Sequence, residues 1–152
     1  MVQYAKKVAE KAIEKRNKAQ KKELKEKTKT LRDYLKELQV VFNKYIRLRD
    51  EGLPCISCNK PYDKNFHASH YFSLGHFPHL RFDELNVHGA CVECNVHKHG
   101  NIAEYSINLP NRIGYEAYDK LLSKRKEKHK YTRNEVQDLI KLYKQKLKDL
   151  QK

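Results

Sequence analysis

Four cysteines stand as two Cys-x-x-Cys pairs, Cys55 with Cys58 in "CISC" and Cys91 with Cys94 in "CVEC", separated by 32 residues. Four thiolates in this pattern suit tetrahedral zinc, which accepts soft ligands and does no redox chemistry. The competing reading, a pair of disulfides, belongs to oxidising compartments. The opening run "MVQYAKKVAEKAIEKRNKAQKK" has no apolar signal-peptide core, so a reducing, cytoplasmic setting is expected. A site closed by four thiolates keeps no open position, so the Zn²⁺ is read as structural. Its binding energy would then be folding energy for a chain with a modest core.

Other chemistry-bearing groups crowd between and just after the pairs. His70 lies in "HASHY", Asn86 sixteen residues further on in "LNVHGAC", and Asn95 directly follows Cys94. Taken singly, each has a bland reading: a strand histidine is often structural, and an asparagine after a knuckle is often a cap. The order His…Asn…Cys-x-x-Cys-Asn, however, resembles the HNH, or ββα-metal, nucleases. Phosphodiester hydrolysis needs a base to activate water, and His70 would serve. It needs a cation on the scissile phosphate, and the Asn95 amide oxygen is a hard ligand suited to Mg²⁺ or Mn²⁺. Asn86 is expected to hydrogen-bond the base and fix its tautomer.

A narrower likeness covers the chain from about residue 40 to its end. "LPCISC", "HASHY", "LRFDELNVHGACVECNVHKHGN", "RIG" and "YKQKLKDL" resemble the NinG/Rap recombination endonucleases of lambdoid phages. The resemblance implies a phage- or prophage-encoded, metal-dependent endonuclease in the host cytoplasm. It implies branched DNA as substrate, such as Holliday junctions and D-loop-like structures. The chain departs from the family pattern at two places. His67 stands where the family has an acidic residue, and Ser69 where it has Gly. Many HNH enzymes also place Asp directly before the catalytic His, the position of Ser69. Either His67 takes the ligand role, favouring a softer cation such as Mn²⁺, or His70 itself binds metal and another histidine is the base. His99, one helical turn past Asn95, is a further ligand candidate. The family's additional N-terminal cysteine cluster is replaced here by a basic helix.

These residues need elements to position them. Residues 1–29 read as a basic helical arm, with eleven Lys/Arg against four Glu. Residues 30–50 read as an amphipathic helix, with Leu31, Leu35, Leu38, Val41, Phe42, Tyr45 and Ile46 on one face. Residues 51–108 lose that periodicity and form the zinc-clipped core. Strands are expected over "FHASHYF" and Leu85–His88, then a short helix from Cys91 to a Gly100 cap. Residues 109–152 return to helix. "LPNRIGYEAYDKLLSKR" reads as one helix, and Thr132 with Glu135 as the capping box of another. The fold class is therefore α+β: mainly helical, with a small zinc-stabilised ββα-metal core flanked by long helices.

Composition supports a polyanionic partner. Lys+Arg outnumber Asp+Glu 33 to 19, giving a net charge of +14. No run of eighteen apolar residues suggests a membrane span. Branched DNA is recognised by shape and phosphate, so Lys/Arg contacts are expected at Arg81, Lys98 and Arg112, extended by Lys124 and Arg125. A symmetric junction needs two cuts, which favours a homodimer. The alternatives are a zinc-stabilised DNA-binding module without catalysis, or a coiled-coil assembly protein built on the terminal helices.

Overall fold

A computed structural model describes residues 2–152. In chain order it holds α1 (Val2–Lys27), α2 (Leu31–Arg49), β1 (His67–His70), β2 (Val87–Ala90), α3 (Ile102–Ile113), α4 (Tyr115–Lys124) and α5 (Arg133–Leu150). The molecule is mainly helical with one two-stranded antiparallel sheet.

The 26 residues of α1 span about 39 Å at helical rise. Every described side chain on it is exposed, including Tyr4, Val8, Ile13 and Leu24. The chain leaves α1 through Thr28 and enters α2 at Thr30. Thr30 forms a reciprocal capping box with Asp33, satisfying two orphan amides of the first turn.

The apolar stripe of α2 meets that of α5. Leu38, Phe42 and Ile46 pack with Val136, Ile140, Tyr143 and Leu147, and Phe82 and Val87 close the cluster from the sheet side. Phe42 makes edge-to-face contacts with Phe82 and Tyr143, at centroid separations of 5.6 and 4.9 Å. The second cluster lies beneath the cysteines. Cys55, Ile56, Phe66, Leu80, Tyr105, Leu109 and Leu121 share it, so α3 and α4 pack on the knuckle side.

Several expected boundaries move. The second strand runs Val87–Ala90, two residues later than read from sequence, because the Leu85 and Asn86 amides are spent on Asp83 in the preceding turn. The segment 109–125 is two helices, not one. Gly114, at φ 87°, breaks the run between α3 and α4, while Pro110 sits within the last turn of α3. The expected division after residue 108 therefore falls inside α3. The short helix expected after Cys91 is present but of wide, π type and ends at His97, before Gly100; in it the Lys98 amide reaches back five residues to the Glu93 carbonyl. The Thr132–Glu135 capping box at the start of α5 matches expectation.

The candidate metal centre and the histidine loop

The sulfurs of Cys55, Cys58, Cys91 and Cys94 lie within 4.8 Å of one another. Tetrahedral zinc with Zn–S near 2.3 Å places its sulfurs about 3.8 Å apart, and Cys58 Sγ and Cys91 Sγ are 3.7 Å apart. The donor set and its spacing thus fit a structural zinc. Local turns aim the thiols. The Asn59 amide bonds the Cys55 carbonyl with Asn59 at φ 57°, closing the first knuckle. The Cys91 amide donates to Cys55 Sγ at 3.3 Å, and Asn101 Nδ2 to Cys94 Sγ at 3.6 Å. Burial, then the neighbouring Cys58 thiol, pushes the metal-free Cys94 thiol up to about 12. Metal binding must therefore displace protons. Among the described residues this is the only group of three or more His, Cys, Asp or Glu side chains close enough to share an ion.

Two further ties bind the knuckles to the sheet and to α3. Ile56 N–H donates to the Gly89 carbonyl of β2 at 3.0 Å. Ser57 Oγ donates to the Gly100 carbonyl at 2.9 Å, and Asn108 Nδ2 to the Ser57 carbonyl at 2.8 Å. The far side of β2 is held by Arg49, which donates to the Val87 and Glu84 carbonyls and pairs with Asp50. Asp50 in turn accepts from Gly89 N–H at 2.7 Å. A Cβ at Gly89 would stand 3.2 Å from Asp50 Cβ, so the close approach of this carboxylate selects glycine there.

The hairpin register decides which polar groups share a face. His67 and Ser69 alternate with Ala68 and His70, and Ser69 stands opposite His88. Asn95 Nδ2 lies 3.2 Å from His67 Nδ1, so the residue after the last cysteine meets the first residue of β1. Between them, the imidazole nitrogen and amide could offer two ligands to a cation. The neighbouring Ser69 Oγ is buried without a hydrogen-bond partner.

His70 sits elsewhere. Its Nε2 lies 2.9 Å from the Arg81 carbonyl. A carbonyl only accepts, so Nε2 carries the proton and Nδ1 keeps its lone pair. Burial lowers the His70 pKa, outweighing the Arg81 carbonyl bond that raises it; the Arg81 charge lowers it further. The ring is therefore neutral at pH 7. The expected bond from Asn86 to this ring is not formed. Asn86 is fully buried and spends its amide on the loop backbone: Oδ1 accepts from Phe72 N–H at 2.7 Å, and Nδ2 donates to the Phe72 and Leu80 carbonyls. It fixes the loop 71–86 whose Arg81 carbonyl then orients His70. His99 is also displaced. Its φ of 50°, followed by Gly100 and Asn101 in the left-handed region, ends the helical run, so the one-turn relation to Asn95 does not hold.

The expected DNA contacts are differently employed. Lys98 is exposed beside Glu93, and Arg125 is exposed over the Phe72 ring. Arg81 is half-buried with Nε donating to Gln39 of α2. Arg112 donates to the Pro54 carbonyl and buries Nη1. Lys124 pairs with Asp83 at 2.6 Å.

Sequence reading passed over His88. It is buried, and burial, then Arg49 and Arg112, push its pKa down to about 3. Tyr105 OH donates to the Ser69 carbonyl, so His88 Nδ1 donates to that hydroxyl at 3.1 Å. The line from β2 through α3 to β1 locks the hairpin. Its one sequence signal is the Gly beside His88; nothing local marks Tyr105 as its partner.

A family model described as "Bacteriophage Lambda NinG protein" matches residues 2–152. The protein ninG of Escherichia phage 933W is 44% identical over 117 residues, covering 77% of this chain and 58% of that protein. The protein ninG of Salmonella phage P22 is 44% identical, and that of Escherichia phage lambda 43%, each over 77% of this chain and 57% of its own length. The match thus spans little more than half of those curated relatives. No solved structure matches the chain.

Proposed function

The chain belongs to the NinG family of phage proteins, and from that premise we propose that it is a metal-dependent, structure-specific DNA endonuclease of the HNH kind. Its substrates would be branched recombination intermediates such as Holliday junctions. The observation that carries this reading is the meeting of Asn95 with His67 beside the four-cysteine cluster, three residues along β1 from a His70 whose tautomer is set. In this reading the structural zinc holds the segment bearing Asn95 against the strand bearing both histidines.

His70 acts as general base through Nδ1. Its lowered pKa keeps the lone pair available at neutral pH, and the Arg81 carbonyl holds the ring through Nε2–H. Asn86 is a positioning residue for that carbonyl. His67 and Asn95 would hold the divalent cation, with Asn95 turned to present its amide oxygen. Their donor set, one imidazole and one amide without a carboxylate, fits Mn²⁺ better than Mg²⁺. Such a cation would supply charge stabilisation on the scissile phosphate and leaving oxygen. The net charge of +14 supports phosphate-dominated binding, and a two-fold dimer would present two such centres to a four-way junction.

The test is cleavage of a labelled four-way junction and matched duplex with Mg²⁺, Mn²⁺ or neither. Metal-dependent cuts in the junction are expected, with His70→Ala abolishing them while junction binding persists. Absence of any metal-dependent cleavage of branched DNA sinks the proposal. A second reading, a DNA-binding module without catalysis, is favoured by the lack of a second ion-sharing cluster among the described residues. It predicts tight junction binding and no cut under any metal.

A further inference from the structure

A cleft of about 550 Å³ opens between the 71–86 loop and the connector from α4 to α5. One wall carries His76, Phe77 and His79; the other is the exposed run Arg125–Lys130. The connector is tied down. The His79 imidazole Nε2 donates to the Lys124 carbonyl at 3.0 Å, and Tyr131 OH donates to the His79 carbonyl at 2.9 Å. Lys124 pairs with Asp83, and the Arg125 guanidinium lies 5.9 Å from the Phe72 ring centroid. These cross-links give the cleft fixed walls, unlike a freely solvated charge run.

Its chemistry is one-sided. Arg125, Lys126, Lys128 and Lys130 line the cleft with one carboxylate, Glu127, while Glu135 reaches its edge 3.4 Å from His129 Nε2. The rings of His76, Phe77 and His129 stand in the same walls. Cations beside planar rings, here the exposed His76 and His129 and the half-buried Phe77, are what an unpaired nucleotide needs: phosphates for the cations, a base face for the rings. A continuous duplex hides its base faces in the stack and can offer this cleft only phosphates. We infer that this cleft is a subsite for an unpaired, single-stranded DNA segment, such as that exposed at a branch point. The inference rests on DNA being the partner of this chain, as in the reading above. The wall bearing Phe77 and His79 belongs to the loop that Asn86 fixes and whose Arg81 carbonyl holds His70.

The experiment measures binding of the full, zinc-loaded chain to labelled oligo(dT) of fifteen nucleotides and to a fifteen-base-pair duplex, by fluorescence anisotropy, without added Mg²⁺ or Mn²⁺. Arg125→Ala/Lys128→Ala should weaken oligo(dT) binding by about tenfold and flatten its salt dependence by about 1.4 in the log–log slope. His76→Ala/His129→Ala should weaken oligo(dT) by about tenfold while changing duplex binding less than twofold. Equal losses on both DNAs in the histidine variant, or no loss in either variant, would overturn the inference. So would tighter binding of polyglutamate than of oligo(dT), lost in the Arg125/Lys128 variant, which would assign the cleft to acidic polypeptide. The measurement needs no catalysis. A chain that never cuts a junction but shows the expected losses keeps this inference and loses the nuclease reading. A chain that cuts, with oligo(dT) binding unmoved by either variant, loses only this inference.

Discussion

The α2–α5 pair and the cysteine-clipped insertion solve the same problem with opposite means. The helix pair holds together by apolar burial: Leu38, Phe42, Ile46 and Val136 are each 0% exposed. The insertion, residues 53–100, buries Ile56, Phe66 and Leu80 but has two strands of four residues each, so directed hydrogen bonds and a four-cysteine cluster fit for a structural metal add to that burial. Asn86, Arg49, Asp50 and the His88–Tyr105 line each saturate backbone groups that the short sheet leaves unpaired. A region built by burial tolerates approximate chemistry and demands shape. One built by directed bonds and thiolates tolerates little change in atom type, which is why the polar groups that could react sit in it.

Metal removal should separate the two regions most sharply. A structural zinc contributes on the order of 10 kcal/mol of folding free energy, and one held by these four cysteines would place that energy on the insertion. Chelation, or Cys58→Ser, should abolish tyrosine near-UV ellipticity from the Tyr71–Tyr105–Tyr118 group while much far-UV helicity from α2 and α5 remains. A stable Cys58→Ser protein with unchanged near-UV signal would break the comparison, leaving the cysteines without a structural role.

Phe42→Ala tests the other side. The residue is wholly buried and contacts Phe82 and Tyr143 edge-on. A loss of about 3–5 kcal/mol is expected in urea unfolding. Phe82 and Val87 belong to the same cluster but to the insertion's loop and strand, so the loss should fall first on the helix pair and reach the insertion through these two residues. If zinc-site signals survived while α2 and α5 melted, the insertion would be an independent unit.

These regions also differ in how plainly the sequence announces them. The stripes of α2 and α5 are periodic, and the cysteine spacing names its ligands without any structure. Thr132–Glu135 reads directly as a helix start, and Thr30–Asp33 uses the same device with a shorter acid. The insertion's polar partners lie far apart in the chain: Arg49 reaches Val87, Asn86 reaches Phe72, Tyr105 reaches Ser69. No local period encodes such bonds. The expectation that Asn86 bonds His70 failed for that reason. It treated two polar residues as partners, when a buried amide beside an irregular loop is recruited by unpaired backbone first. The single helix read over 109–125 divides at Gly114, whose φ of 87° no helical pattern on either side encodes. The three positive-φ residues 99–101 broke the His99 relation because they end the short wide helical turn after the second knuckle at His97.

Acid should distinguish the regions by a smaller amount. His88 is pushed down to about 3 and His70 is also lowered, both chiefly by burial. Their depressed values mean that the unfolded chain binds protons near pH 6.5 that the folded chain refuses. The stability they contribute is present above pH 6.5 and falls as pH drops toward the folded values. For His88 alone that is about 2 kcal/mol by pH 5. Urea midpoints should therefore fall between pH 7 and pH 5, and His88→Gln should reduce the drop even though thiolate protonation contributes its own share. An unchanged pH dependence in His88→Gln would show that the imidazole is not excluded from protonation.

The least effect belongs to the caps, and it bears on the same contrast. Thr132 Oγ1 accepts from Glu135 N–H, and Glu135 returns two bonds to Thr132, all at an exposed helix start. Thr132→Ala should cost about 1 kcal/mol, read as a shift in urea midpoint without a change in slope. Because α5 packs on α2 and not on the cysteines, this loss should leave zinc affinity unchanged. Thr30→Ala, at the matching cap of α2, should behave alike. A cap variant that weakened zinc retention would mean that helix-pair stability reaches the thiolates through Phe82 and Val87. The two regions would then share one free energy despite their different chemistry.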